Sequence, residues 1–341
     1  MGISGYTRIL VASPNSLKDA DWPVLMCGGN GRCVNGWDPP PSVSMLPALS
    51  FIQRTFWLFA QRHNYEAYIL IWLDIESILL AVIFKFFRIS KPILIVFDLA
   101  PIPERKGPFS ILREFLTSYA ASRLNALIMF SHGIASLCQR RWPAIKHIYS
   151  VRGNQYAGFY LSLMESASQD GSIFSGGTAA RDWRTLIEAA RCLPNERFVT
   201  CALSSDRNFP LGSLPPNVTV HFNVSPDRFY KIMGRSKIVV VPLLRKNFTS
   251  GLIVAFYAMQ AGKPLIITRT LATEEYIQDG ENGLLVNCGD IDGLTEQIRR
   301  LANDVELQHR LSINARDPKR CPSRTEFFQQ VNAVLDEIFK G

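Results

Sequence analysis

Residues Phe248 to Val286 read FTSGLIVAFYAMQAGKPLIITRTLATEEYIQDGENGLLV, and few folds accommodate such a stretch. A small-residue loop, Thr249-Ser250-Gly251, precedes a helix with Ala255, Ala258 and Ala261 on one side. Gly262 stops that helix and Pro264 follows, the usual punctuation of a helix end. The apolar run Leu265 to Thr268 reads as a buried strand. A short acidic helix with Glu274 and Glu275 leads to the turn Asp279-Gly280-Glu281-Asn282-Gly283, and Leu284 to Val286 forms the next strand. Loop, helix, strand, helix, turn and strand is the grammar of a parallel α/β sheet.

The chemistry of such a unit sits at its first loop. A helix N-terminus presents unpaired N–H groups and a partial positive charge. A loop containing Gly251 lets a phosphate come close to them. An ordinary crossover helix with no ligand fits the same pattern.

A chain of 341 residues predicts two domains. Apolar content is ample for two cores, and no repeat or low-complexity tract appears. The start, MGISGYTRIL, has no apolar h-region, so no secretory signal is expected, and Tyr6 breaks the myristoylation pattern. The seven cysteines form no CxxC pair. Free thiols in a reducing cytoplasm are expected, with no zinc-type cluster.

Charge is uneven. Residues 1–154 hold 16 Lys and Arg against 9 Asp and Glu, while residues 155–341 hold 21 against 20. The basic half suits an anionic substrate or peripheral contact with an anionic membrane at its inner face, or is simply a solubilising surface. Nucleic acid is not expected as a partner, because the basic residues form no dense run.

In chain order, Arg8 to Ser13 reads as a strand. Residues 14–45 read as a long Gly- and Pro-rich loop in which Gly28, Gly29 and Gly31 lack a strand–helix context. Residues 46–63 predict a helix. Tyr65 to Trp72 predicts a strand, and Asp74 caps a helix running to about Arg88. The apolar stretch from Ala67 to Phe87 has the length of a membrane span, but Asp74, Glu76 and Lys85 interrupt it. Aromatics beside Arg and Lys in 51–62 and 84–91 suit an interfacial helix or a buried core face. The strand Pro92 to Phe97 ends at Asp98, where open parallel sheets place ligands, so Asp98 is a candidate base, or else a turn cap. A helix over 109–123 and a strand over Ala126 to Phe130 follow. His132 stands at that strand's end, as a sugar or phosphate contact or as a structural histidine. Residues 155–170 read as a linker, and Ser172 to Gly177 as a strand ending in paired glycines. Arg181 then opens a helix, where a cation is unfavourable with the dipole unless an anion is bound.

The strings AMQAGKPLIITR…EEYIQDGENGLLV and GDIDGLTEQIRRLANDVELQHRLSINAR resemble the nucleotide-sugar-binding half of glycosyltransferase family four. The resemblance is good over roughly 172–316, weak over 65–154 and absent before that. It implies a GT-B fold, two Rossmann-like parallel-sheet domains facing a cleft. Residues 1–154 would be the acceptor-side domain, 155–322 the nucleotide-sugar domain, and 323–341 a helix packing back on the first. It implies transfer of a sugar, with retention, from a nucleoside diphosphate sugar to a polysaccharide or lipid-linked acceptor. No other cofactor and no metal is implied. By the same likeness the donor residues are Gly176, Gly177, Arg181, Thr249, Ser250, Gly251, Leu252, Tyr257 and Glu275, while Asp98 and His132, from their places at strand ends, are the catalytic candidates. Arg181 stands where the family has a lysine, and a guanidinium also binds phosphate. Thr249 and Tyr257 stand where the family carries paired glutamates, so both carboxylates are gone. A non-catalytic partner subunit and a nucleotide-sugar epimerase are the rival readings.

Overall fold

The computed structural model describes residues 8–12, 34–35, 50–99, 107–153, 158–210, 212, 214–244 and 249–340. The expected loop at 14–45 lies almost wholly outside these residues, with Gly28, Gly29, Gly31, Cys27 and Cys33. The chain divides into two units, one formed by Met1–Arg152 with Phe327–Gly341 and one by Gly153–Glu326.

The first unit is built on β1 (Ile9–Ala12), β2 (Val34–Asn35), β3 (Ala67–Ile71), β4 (Ile93–Phe97), β5 (Ala126–Met129) and β6 (His147–Ser150). They form a wholly parallel sheet in the order β2-β1-β3-β4-β5-β6, with Ile9 opposite Ala67 and Ala67 opposite Ile93. Strands β1, β3 and β5 are buried at every position. This is why they read as unbroken apolar runs rather than alternating ones. Helices α1 (Ser50–Ala60), α2 (Asp74–Phe86), α3 (Pro108–Ala120) and α4 (His132–Arg141) surround the sheet. The Arg54 guanidinium donates to the buried Glu76 carboxylate at 2.6 Å and ties α1 to α2. Asp74 is the first residue of α2 and not its cap; Leu73 occupies the cap position, and Asp74 instead meets Arg113 of α3 at 3.3 Å.

The second unit contains α5 (Leu161–Glu165), β7 (Ile173–Gly176), α6 (Trp183–Arg191), β8 (Phe198–Ala202), β9 (Val218–Phe222), α7 (Pro226–Arg235) and β10 (Ile238–Val241). It continues with α8 (Leu252–Gln260), β11 (Leu265–Thr268), β12 (Leu284–Val286), α9 (Ile291–Asn303) and α10 (Val305–Ala315). From one edge its parallel strands run β9-β8-β7-β10-β11-β12. That is the doubly wound order of dinucleotide-binding domains, and the direction of winding reverses between β7 and β10. Its core gathers Trp183, Phe198, Phe209, Ile238, Leu294 and Leu311. The Trp183 indole N–H is satisfied by Asp206 at 2.8 Å.

The expected linker over 155–170 contains α5. Met164 is buried, and α5 lies so close to α7 that a Cβ on Gly234 would meet the Met164 carbonyl oxygen at 2.5 Å. Residues 155–157 fall outside the described part. The last helix, α11 (Arg324–Lys340), buries Phe327, Phe328, Val331 and Leu335. Phe327 packs on Phe130 at 5.9 Å, and the Tyr149 hydroxyl donates to Glu337 at 3.0 Å, both within the first unit.

All five described cysteines are free. Burial pushes the Cys138, Cys201 and Cys321 thiols up to about 12, whereas Cys192 is exposed and Cys288 half-buried. Thiolates are the reactive form. Iodoacetamide at pH 8 is therefore expected to label Cys192 and Cys288 of the native protein and to reach the other three only after unfolding. Peptide mass mapping checks this, and native labelling of Cys138 would contradict the packing.

Candidate functional site

The segments leaving β7 and β10, the two strands at the winding reversal, are bonded to each other. Arg181 pairs with Leu243 as an antiparallel bridge. The Asp182 N–H donates to Pro242 O at 3.0 Å, and the Leu244 N–H to Ala180 O at 2.9 Å. Arg181 is thus in extended chain and does not open the helix. Asp182 caps α6, its carboxylate accepting from the Thr185 amide at 3.1 Å and hydroxyl at 2.7 Å. An aspartate at this cap suits the helix dipole, which a cation would oppose.

Arg181 is only 3% exposed. Its Nε donates to Gly176 O at 2.8 Å and its Nη1 to Ala179 O at 2.9 Å. Burial lowers its pKa to about 10, partly offset by Asp206, so it stays charged at neutral pH. The guanidinium lies directly under Gly177, whose φ is +132° and whose missing Cβ would fall 2.2 Å from Nη2. A Cβ on Gly176 would strike the Phe229 ring at 2.6 Å. Both glycines are therefore required by close approach, and the buried cation braces the loop they form.

The loop before α8 supplies the second half. Gly251 holds φ +88° at the N-cap, with Val241 and Leu243 side chains filling the space of a Cβ. It offers no side-chain cap to the amides of the first turn. Leu252 is buried, while Thr249, Ser250 and Gly251 are partly exposed. The Leu243 amide donates to Thr268 Oγ1 at 2.8 Å, which ties this edge to β11. Beyond β11, Thr270 and Thr273 cap each other's amides through their hydroxyls and set the turn Thr273–Glu275. Of its two acids, Glu274 is held by Arg269 at 2.9 Å, which also grips Asp279 at 2.8 Å, whereas Glu275 is half-buried beside them. The structure therefore gathers Gly176, the last residue of β7, with Gly177, Arg181, Thr249, Ser250, Gly251 and Leu252 on the segments that follow β7 and β10, and Glu275 on the segment after β11.

Tyr257 departs from the expected ribose contact. None of its surface is exposed, and its ring packs 4.3 Å from Tyr230 and 5.9 Å from Tyr160. It builds the core under α8, a helix buried nearly all round.

In the first unit, Asp98 follows β4 in the left-handed region, with φ 54° and its amide donating to Ile128 O at 2.9 Å. Trp72 follows β3 with φ 53°. Two strained non-glycine residues at neighbouring strand ends mark this edge, since such conformations concentrate at working sites. His132 is the exposed first residue of α4, where Ser131 Oγ accepts from the Ile134 amide at 3.1 Å. Trp72 escaped sequence reading, because nothing local announces a positive φ. Pairing of Ala180 with Leu244 escaped it because the partners are remote in the chain.

Two parallel-sheet α/β units of this kind define the GT-B class. Over its whole length the chain superposes on sucrose-phosphate synthase from Thermosynechococcus elongatus with a TM-score of 0.74, at 14% identity and covering 98% of this chain and 99% of that one. It superposes on Anabaena HepE in complex with UDP-glucose with a TM-score of 0.69, at 14% identity and covering 98% and 100%. The chain has the GT-B fold, and its residues 213–317 match the family "Glycosyl transferases group 1". Similar curated proteins include an uncharacterized glycosyltransferase of Methanocaldococcus jannaschii, 30% identical over 33% of this chain and 31% of that protein. Another is the Staphylococcus aureus capsular polysaccharide biosynthesis glycosyltransferase CapM, 31% identical over 30% and 25%. The matched segments span about a third or less of those relatives.

Proposed function

We propose that this protein transfers a sugar from a nucleoside diphosphate sugar to a glycan or lipid-linked acceptor, with the second unit holding the donor. The observation that carries this reading is the stitched pair of loops at the β7–β10 reversal, with a helix N-terminus at which Gly251 supplies no side-chain cap, beside a glycine loop braced by a buried cation. The donor diphosphate would lie against the first-turn amides of α8, with Thr249 and Ser250 hydroxyls as hydrogen-bond partners. These groups do not reorganise as negative charge builds on the departing diphosphate, which is where such stabilisation lowers the barrier. Glu275 would accept from a hydroxyl of the ribose or sugar. Asp98 and His132 would serve the acceptor from their own unit. Retention of configuration is part of the proposal on family likeness.

A binding subunit without turnover is the second reading. It is favoured by the absence of both motif glutamates and by the burial of Tyr257 at one of their positions. A thermal-shift panel of UDP, GDP, ADP and their sugars, followed by assay of nucleotide release with glycan acceptors, separates the two. One nucleotide class is expected to stabilise the protein by roughly 2–4 kcal/mol well above its Kd, and Glu275→Gln is expected to weaken the sugar nucleotide more than the bare diphosphate. Binding with no release supports the second reading. No shift with any nucleotide sinks the donor site.

A further inference from the structure

Helix α3 is built inside out. Its outward side is Leu112, Phe115 and Tyr119, flanked by Ile111 and Phe109, and Phe109 is 87% and Phe115 66% exposed. Its inward side carries polar Arg113, Glu114 and Thr117 beside buried Ala120 and half-buried Leu116. Arg113 meets Asp74, Glu114 accepts from Arg141 at 2.8 Å, and Thr117 is fully buried with its hydroxyl on Arg113 O. A helix stabilised by core burial would be arranged the other way round.

The apolar strip continues onto α2. The Lys85 ammonium donates to Tyr119 O and lies 4.6 Å over the Tyr119 ring, which places the ends of the two helices side by side. Phe86 and Phe87 follow Lys85 directly and are 70% and 63% exposed. Exposed Arg88 and Lys91 come next. Scattered surface apolar residues need no explanation, but exposed aromatics gathered on two neighbouring helices beside basic residues do. Of the segments that suggested an interface from sequence, 84–91 contributes and α1 contributes only Phe56 among its exposed large apolar residues. The main element is α3, which had read as a plain helix.

We propose that the α3 strip, with Phe86 and Phe87, docks this protein on the surface of an anionic lipid bilayer. The strip would enter the boundary between headgroups and acyl chains while exposed Arg88 and Lys91 reach the headgroups. Charge complementarity selects this occupant. Among the described residues of α2 and α3 the acids Asp74, Glu76 and Glu114 are engaged by Arg113, Arg54 and Arg141, and the half of the chain that carries the strip has a surplus of basic residues. A second copy would bring the same positive charge to the same place. No helix among the described residues is long and apolar enough to cross a membrane.

The test is cosedimentation of the full chain, without nucleotide, with vesicles of phosphatidylcholine alone or with phosphatidylglycerol added. Wild type is expected to bind the anionic vesicles more strongly and to be released by salt. The double variant Leu112→Ser/Phe115→Ser is expected to bind roughly tenfold to a hundredfold more weakly with little change in melting temperature, since both side chains are more than half exposed. Arg88→Glu/Lys91→Glu is expected to lose the preference for phosphatidylglycerol. Absence of vesicle binding, or binding that survives both double variants, overturns the proposal. Self-association abolished by Leu112→Ser/Phe115→Ser, with no vesicle binding, assigns the strip to a second copy instead.

Discussion

Arg181→Ala is expected to abolish nucleotide-induced thermal stabilisation and to lower the unfolding free energy by about 2–5 kcal/mol. The side chain is buried and supplies donors to Gly176 O and Ala179 O. Alanine strands both carbonyls and leaves a cavity under Gly177. The desolvated charge disappears with the side chain, which offsets part of the loss and keeps it below that of a broken ion pair. On the proposed donor site, ligand binding is expected to suffer more than stability, because the guanidinium braces the loop formed by Gly176 and Gly177. Arg181→Lys restores a charge that reaches one carbonyl and is expected to fall between the two. Gly177→Ala presses on the same guanidinium from above, so its effect and that of Arg181→Ala are expected to be strongly non-additive in a double-mutant cycle. Unchanged nucleotide affinity in Arg181→Ala would remove this loop from the donor site.

Lys263→Met is the second large effect, and it separates fold from site. Lys263 is 5% exposed and donates to Gly234 O and to Ser236 O at 3.0 Å, at the C-terminal end of α7. Gln169, with its amide donating to Ser236 O, accepts from the same ammonium at 2.6 Å. A cation among the last carbonyls of a helix satisfies groups that the helix itself leaves open. Methionine keeps the length and loses every bond, at a cost of about 2–4 kcal/mol near neutral pH. Burial lowers the Lys263 pKa to about 8 from an ordinary 10.5, against the pull of Asp170. Between those values the unfolded chain binds more protons than the folded one. Wild-type stability therefore gains a rising contribution from pH 8 to 10.5, worth roughly 3 kcal/mol when complete. Methionine has no such contribution, so the gap between the proteins is expected to widen with pH. Urea unfolding at pH 7 and pH 10 measures it, and a gap that narrows would show that the folded protein favours the ammonium.

The strands were legible because a parallel sheet covered on both faces demands unbroken apolar runs, as at Ile69, Ile95, Ile128, Val240 and Ile266. The stretch from Thr249 to Val286 announced its loop, helix and strands by its glycines and prolines. Other features depend on partners that the local sequence does not contain. Arg181 reads as a helix opener until its pairing with Leu243 places it in extended chain. Tyr257 reads as a polar handle until Tyr230 and Tyr160 enclose it. A period of 3.6 shows that a helix has two unlike faces and does not say which one meets water, so α3 looked ordinary. The residues spanning α5 looked like a linker because one short helix against Gly234 leaves almost no pattern.

The first unit is discontinuous in the chain, and this orders events during synthesis. Its core includes Phe327, Phe328, Val331 and Leu335, with Phe327 against Phe130, so it stays incomplete until residues 327–340 have left the ribosome. The second unit is one uninterrupted stretch, Gly153–Glu326, and has all its strands earlier. The part translated first is therefore the part that matures last, and in the interval the nascent chain carries an unfinished apolar surface prone to aggregation.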